Sequence, residues 1–204
     1  VVVRAWESWA AQRNAALAHV RTPWVFFVDV DERVPLELAE EIGATVSRAT
    51  EVGQPVGFWV PRQNLIMGRW VRHAGWHPDY QLRLFRVDRG RYASDRAVHE
   101  LVQLDGSDAR LTARLVHHNY EAWGQFWRKQ LRYARAEATQ LHAAGQRARP
   151  RNLVLQPLRE LRRRFVTLGG YREGLLGLAL SVVLAGADLV KYAELLRLGR
   201  AARR

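Results

Sequence analysis

The sequence predicts an α/β protein carrying a helical, strongly basic carboxy-terminal segment. Three observations lead there. A helical repeat runs into a short, continuous apolar stretch that ends on acids and re-enters a helical repeat, more β-rich runs follow downstream, and the charge balance changes abruptly near residue 121. With 204 residues, 48% of them apolar, the chain can bury one substantial core and carry an appendage, which excludes a disordered tail or a collagen-like rod as its main content. The absence of cysteine excludes disulfides, thiolate metal sites and a cysteine nucleophile.

Residues 1–3 (Val1-Val2-Val3) lack the charged and long apolar regions of a secretory signal. Between Trp6 and Val20, Trp9, Arg13, Leu17 and Val20 recur at helical spacing until Thr22-Pro23 ends the pattern. Trp24 to Val28 is a β-branched and aromatic run of the kind found in a strand buried on both faces of a parallel sheet. It leads into Asp29-Val30-Asp31-Glu32, after which Pro35 suits the first position of a helix lined by Leu38, Ile42 and Val46. Val56 to Val60 and Gln81 to Val87 are further strand candidates. The Gly-, Trp-, Arg- and His-rich stretch from Arg62 to Tyr80 is expected to be a long ordered loop, of the length that usually serves a site. Residues 111–117 alternate like a last strand, and Phe126, Trp127, Leu131 and Ala134 mark a helix from Glu121 to about Ala144.

The acidic turn is the strongest local signal. Ligands of open α/β sheets collect at the carboxyl ends of strands, and two acids one residue apart can reach a common point there. Mg²⁺ or Mn²⁺ held against a diphosphate would suit Asp29 and Asp31; a helix-capping turn before Pro35 is the competing explanation. Arg83 either forks onto a phosphate or acidic sugar in the crevice or serves as a structural arginine. Asn64 and Trp76, with Arg69, Trp70 and Arg72, suit a carbohydrate acceptor, although tryptophan as core filler competes at each position. A zinc site is not expected: His73 and His77 are four apart, but Gly75 and Pro78 disfavour a helix there and no His-Glu-x-x-His pattern occurs. His117, beside Asn119 and Tyr120, is expected in a site wall.

Taken in order, Arg13-Asn14, the apolar strand ending in Asp29-Val30-Asp31-Glu32, Arg83-Leu84-Phe85 and Val98-His99-Glu100 resemble the family 2 glycosyltransferases. The bacterial branch that includes lipopolysaccharide core sugar transferases is most similar. The resemblance spans nearly the whole chain. It implies a GT-A-like (Rossmann-like) nucleotide-sugar fold over residues 1–120, in which Asp29 and Asp31 hold Mg²⁺ or Mn²⁺ and the donor diphosphate, with Arg13 and Asn14 beside the nucleotide. Glu32 matches a recurrent acid of structural or sugar-positioning role. Glu100 is the expected general base of an inverting transfer, with Asp31 as the second catalytic acid and Asn64, Trp76, Arg83 and His99 toward the acceptor or a phosphate. An ordinary surface acid and a core histidine are the plainer readings of Glu100 and His99. The family usually opens with a strand and turn for the nucleobase, so the fold is expected to lack its first βαβ unit. A catalytically inactive remnant serving as a membrane-associated binding module is the alternative function.

Charge divides the chain. Residues 1–121 hold 15 acidic and 15 basic side chains, whereas residues 122–204 hold 17 basic and 5 acidic and so account for the whole net +12. A Pro- and Arg-rich stretch from Gly145 to Pro157 precedes Arg162-Arg163-Arg164-Phe165, a Gly169-Gly170 break, and fourteen uncharged residues from Gly174 to Ala187. That stretch falls short of the roughly 20 apolar residues of a bilayer span. Residues 121–204 are therefore expected to be a helical, basic, membrane-associating region, its tail from Arg159 to Arg204 forming a helix or helical hairpin in the interface of an anionic membrane. With the resemblance, this implies a peripheral location on the cytoplasmic face of a bacterial inner membrane and a lipid-linked or lipopolysaccharide acceptor. A buried dimer helix and nucleic-acid binding compete. No helix-turn-helix, RNP-like or finger pattern accompanies the basic residues, so no nucleic-acid partner is expected.

Overall fold

The structure, a computed structural model, describes residues 3–49, 53–93 and 102–201. In chain order it contains α1 (Trp9–Leu17), β1 (Trp24–Phe26), β2 (Glu32–Arg33), α2 (Leu36–Arg48), β3 (Gly57–Ile66), β4 (Arg69–Trp70), β5 (Tyr80–Arg86), β6 (Gly90–Tyr92), β7 (Val102–Leu104), β8 (Asp108–Arg110) and β9 (Leu115–Tyr120). The helices α3 (Trp123–Ala143), α4 (Asn152–Arg162) and α5 (Gly174–Ala201) follow. A π-helical turn (Arg163–Thr167) and a 3₁₀ turn (Gly170–Glu173) separate the last two. The mixed α/β class is as expected. The chain divides into two units, one of residues 1–63 and 79–117, the other of residues 64–78 and 118–204. The segment 64–78 thus belongs with the helices.

In the first unit, β1, β5, β3, β9 and β2 lie side by side in that order, and β8 pairs with β3 in parallel. β6 and β7 form a separate antiparallel ribbon. β1 was expected in a parallel sheet; it pairs antiparallel with β5, Val25 facing Phe85 and Phe26 facing Leu84. An apolar run reports burial on two faces and says nothing of a neighbour's direction. Both faces are in fact covered. Phe26, Phe58, Val60, Leu84 and Leu115 pack with Leu38, Ile42 and Val46 of α2. On the opposite face Val25, Phe27, Phe85 and Tyr92 pack with Ala10 and Leu17 of α1. Each fully buried Leu or Phe contributes about 1.5–3 kcal/mol by leaving water. Ser8 caps α1, accepting from the Ala11 N–H at 3.1 Å. The helix is shorter than the repeat suggested and turns Ala10 and Leu17 inward, leaving Trp9 exposed. Pro35 is the residue before α2 rather than its first, extended at φ −66°, ψ 158°.

The stretch after Val60 departs from a loop. β3 continues to Ile66 and turns through Met67 (φ 50°) and Gly68 (φ 73°) into β4, with Leu65 opposite Trp70 and Ile66 opposite Arg69. Two successive positive φ angles are what a tight hairpin turn requires, and glycine takes one of them without strain. In the second unit Ile66, Val71, Tyr120, Phe126 and Leu180 make the core. Glu173, 9% exposed, fastens the segment after β4: its carboxylate accepts from the N–H groups of Arg72 (2.8 Å) and His73 (3.0 Å) and lies 2.7 Å from His73 Nδ1. Partial burial would raise the Glu173 carboxyl, but these donors, His73 foremost, hold it below its ordinary value. Pro157, expected to mark a linker, sits inside α4, and α5 runs 28 residues, twice the uncharged stretch.

Candidate functional site

Six side chains of alternating charge meet at the carboxyl end of β1. The backbone builds the turn first: the Glu32 N–H donates to the Asp29 carbonyl at 3.0 Å, and the Asp29 N–H donates to Glu32 Oε2 at 2.8 Å. Glu32 is 3% exposed and its Oε1 accepts from Arg83 Nη2 at 3.0 Å, with Arg62 Nη1 at 3.7 Å. Arg62 also grips Asp79 through Nε (2.9 Å) and Nη2 (2.8 Å). Asp29 receives Arg13 Nη2 on one oxygen at 2.8 Å and Arg83 Nη2 on the other at 2.5 Å. Burial alone would push the Asp29 carboxyl up; Arg83 and then Arg13 outweigh it and hold that carboxyl below the ordinary carboxylate value.

Each partner arrives on a different element. Arg13 projects from α1, its guanidinium 5.2 Å from the Phe27 ring centroid and 5.5 Å from that of Tyr92. Asn14, the next residue, fixes α1 in place: its amide donates to the Tyr92 carbonyl and accepts from the Tyr92 N–H, both at 2.9 Å. Arg83 comes from β5 and Arg62 from β3. Pairing of β2 with β9 sets Glu32 opposite His117, and this register brings His117 Nε2 to 3.5 Å from Asp31 Oδ2.

Three arginines thus face Asp29, Glu32 and Asp79, and Asp31 is the carboxylate left over. Among the described residues its partner is an imidazole, not a guanidinium, and its side chain is 41% exposed. Asp31 thus presents an accessible oxygen pair beside a histidine, while the Arg33 guanidinium lies on the Val30 and Glu32 carbonyls of the same turn. An exposed carboxylate suits Mg²⁺ or Mn²⁺, and an imidazole is a ligand more typical of Zn, Cu, Fe or Ni, so Asp31 is the donor that would serve the expected ion. Among the described residues no three acidic or histidine side chains form a ready cage. The remaining coordination positions would be left to phosphate oxygens and water, the usual arrangement for these ions at phosphate sites.

Of the residues expected from sequence, Arg13, Asp29 and Arg83 are joined directly, Asp31 stands beside His117, and Asn14 supports the helix that carries Arg13. Asn64 and Trp76 lie in the second unit. Asn64 is 1% exposed and its amide donates to the Trp76 carbonyl at 3.1 Å; the Trp76 ring packs on Tyr120 and Phe126 at 6.0 and 6.2 Å between centroids. His99 and Glu100 lie outside the described residues. Sequence reasoning missed Arg62 and Asp79, and nothing in the local pattern of either residue marks it.

No family model matches the chain. It is 29% identical over 174 residues to the lipopolysaccharide core biosynthesis glycosyltransferase LpsC of Rhizobium meliloti (strain 1021), a match covering 84% of this chain and 63% of that protein. The chain spans less than two thirds of this relative's length, and what it is similar to is a glycosyltransferase of lipopolysaccharide core biosynthesis.

Proposed function

We propose that this chain serves a glycosyltransferase moving a sugar from a nucleotide-sugar donor to a lipopolysaccharide-type acceptor, on a GT-A-like frame with inversion. One observation carries the proposal: among the described residues at the carboxyl end of β1, Asp29, Glu32 and Asp79 are paired with arginines and Asp31 faces His117. The similarity to a lipopolysaccharide core glycosyltransferase supports the same reading. In this reading Asp31, with His117 beside it, would hold Mg²⁺ or Mn²⁺, whereas Asp29, expected to share the ion, has both oxygens taken by Arg13 and Arg83; what such a cation would supply when bound is neutralisation of charge on the leaving diphosphate. Arg13 and Arg83 orient the donor phosphates, guanidinium being matched to phosphate oxygens. Glu32 holds the turn in shape. The acceptor hydroxyl attacks the anomeric carbon as the bond to the diphosphate oxygen breaks, and its proton passes to a carboxylate, the role assigned to Glu100.

Calorimetric titration of the chain with UDP, GDP and CMP, with and without Mn²⁺, tests this. Mn²⁺ is expected to tighten one nucleotide about 100-fold, and Asp31→Asn to abolish that dependence without changing the far-ultraviolet circular dichroism. Nucleotide binding indifferent to Mn²⁺, or equal in the variant, would remove the basis of the proposal.

A further inference from the structure

We infer that the outer face of α4 and its π-helical continuation docks on an anionic lipid bilayer. The exposed positions from Arg151 to Val166 recur three and four apart and so form one helical face. On that face the apolar side chains point outward: Val154 is 60% exposed, Leu155 50%, Leu158 57% and Val166 57%. Arg151, Arg159, Arg162 and Arg163 occupy its other positions. Between Glu137 and Glu173 the sequence holds eight arginines and one acid, Glu160. Glu160 is occupied by Arg163 and Arg164 at 2.8 and 2.7 Å. Among the described residues Arg159 and Arg162 make no ion pair.

An amphipathic helix in an ordinary soluble bundle hides its leucines and shows its charges. This one shows both on the same side, which is the composition of a bilayer interface: aliphatic side chains enter the acyl boundary while arginine stems lie along it and their guanidiniums reach the phosphates. The charge decides among occupants. A second copy would bring four more arginines against these four, and a nucleic acid would set four aliphatic side chains against phosphate. Anionic lipid satisfies both halves. A cavity of about 400 Å³ opens beside Arg159, Arg162 and Arg163, with Gln156 and Thr167 as neutral hydrogen-bonding groups. Its two acids are already paired, Glu160 as above and Asp188 with Lys191 at 2.5 Å, so it is suited to a headgroup phosphate.

The lipid contact is peripheral. Residues 170–201 are long and apolar enough to cross a membrane by length and composition, an 18-residue window within them reaching a mean hydropathy of 1.8. Yet the Asp188–Lys191 pair, with Glu137 at 3.5 Å from the lysine, interrupts α5 after fourteen uncharged residues. Those fourteen rise about 21 Å, against a hydrocarbon core of about 30 Å.

Flotation of the full chain with phosphatidylcholine vesicles, with or without phosphatidylglycerol, tests the inference. Recovery with the anionic vesicles is expected, together with a loss of about fivefold in partitioning per arginine removed, hence about 25-fold for Arg159→Gln/Arg162→Gln. Leu155→Asp/Leu158→Asp should abolish recovery; all four substituted positions are exposed, and unchanged circular dichroism confirms folding. Equal recovery on neutral vesicles, unaltered partitioning of the arginine variant, or displacement by inorganic phosphate at matched ionic strength would overturn it. So would a dimer in light scattering that the aspartate variant dissociates. Flotation involves neither donor nor acceptor sugar, so this inference and the transferase reading can each fail alone.

Discussion

Glu32 has the least freedom of any side chain at the acidic turn. It is buried, it closes the turn by accepting the Asp29 N–H, and it shares Arg83 with Asp29. Removing it leaves Arg83, 7% exposed, with half its counter-charge and the turn without its clasp. Glu32→Ala is therefore expected to cost about 3–5 kcal/mol in urea unfolding, the scale for breaking a buried pair from one side. Glu32→Gln keeps an acceptor for the Asp29 N–H and should cost about half as much. Equal losses in the two variants would mean that shape, not the hydrogen bond to the turn, is what Glu32 supplies. Asp29 and Asp31 stood out by their spacing after an apolar run, Arg83 by its place in a strand, and Arg13 only through the family resemblance; that Arg13, Asp29 and Arg83 pair with one another was not legible. Nor were Arg62 and Asp79, since Arg62 reaches an acid thirty positions earlier and becomes meaningful only once β3 lies within the sheet.

The same division between local and long-range information governs the elements. Helix α3 and strand β5 could be read to within a few residues because their periodicity is strong and their breakers are clear. The full length of β3 could not: Arg62, Gln63 and Asn64 have poor strand propensity, and the partners that satisfy Arg62 and Asn64 come from other elements. Pro157 looked like a boundary because the proline ring removes a helical donor, yet α4 carries it through. The join between the 3₁₀ turn and α5 offers a sharp test of packing. A Cβ added at Gly177 would stand 1.9 Å from the Gly170 carbonyl oxygen and 2.9 Å from the Glu173 Cβ, and a backbone oxygen cannot step aside as a side-chain tip can. Gly177→Ala is expected to destabilise by about 1–3 kcal/mol. Because Glu173 fastens residues 72 and 73, the variant should also expose the segment 71–78 to protease. A loss of stability with that segment still protected would show that α5 had shifted as a body and kept its clasp.

For the whole molecule, the decisive quantity is where the charge lies. Residues 1–121 are balanced, and at the acidic turn of the first unit Arg13 and Arg83 with Asp29, Arg83 with Glu32 and Arg62 with Asp79 make partly buried pairs that salt screens weakly. Residues 122–204 carry 17 basic against 5 acidic side chains, so this segment repels itself. Salt should act on these two populations unequally. Raising ionic strength from about 0.01 M to about 0.15 M shortens the Debye length from about 30 Å to about 8 Å, which removes repulsion across the helical unit while leaving the closely packed pairs largely intact. The melting temperature is therefore expected to rise over that range, opposite to a protein held together by surface ion pairs. Anionic vesicles at the lower salt should reproduce the rise by binding the folded state, whereas neutral vesicles should not. Arg159→Gln/Arg162→Gln should start from a higher melting temperature at low salt and respond less to either addition. A melting temperature that falls as salt is added would show that attraction, not repulsion, dominates the helical unit, and that its arginines are already satisfied within the protein.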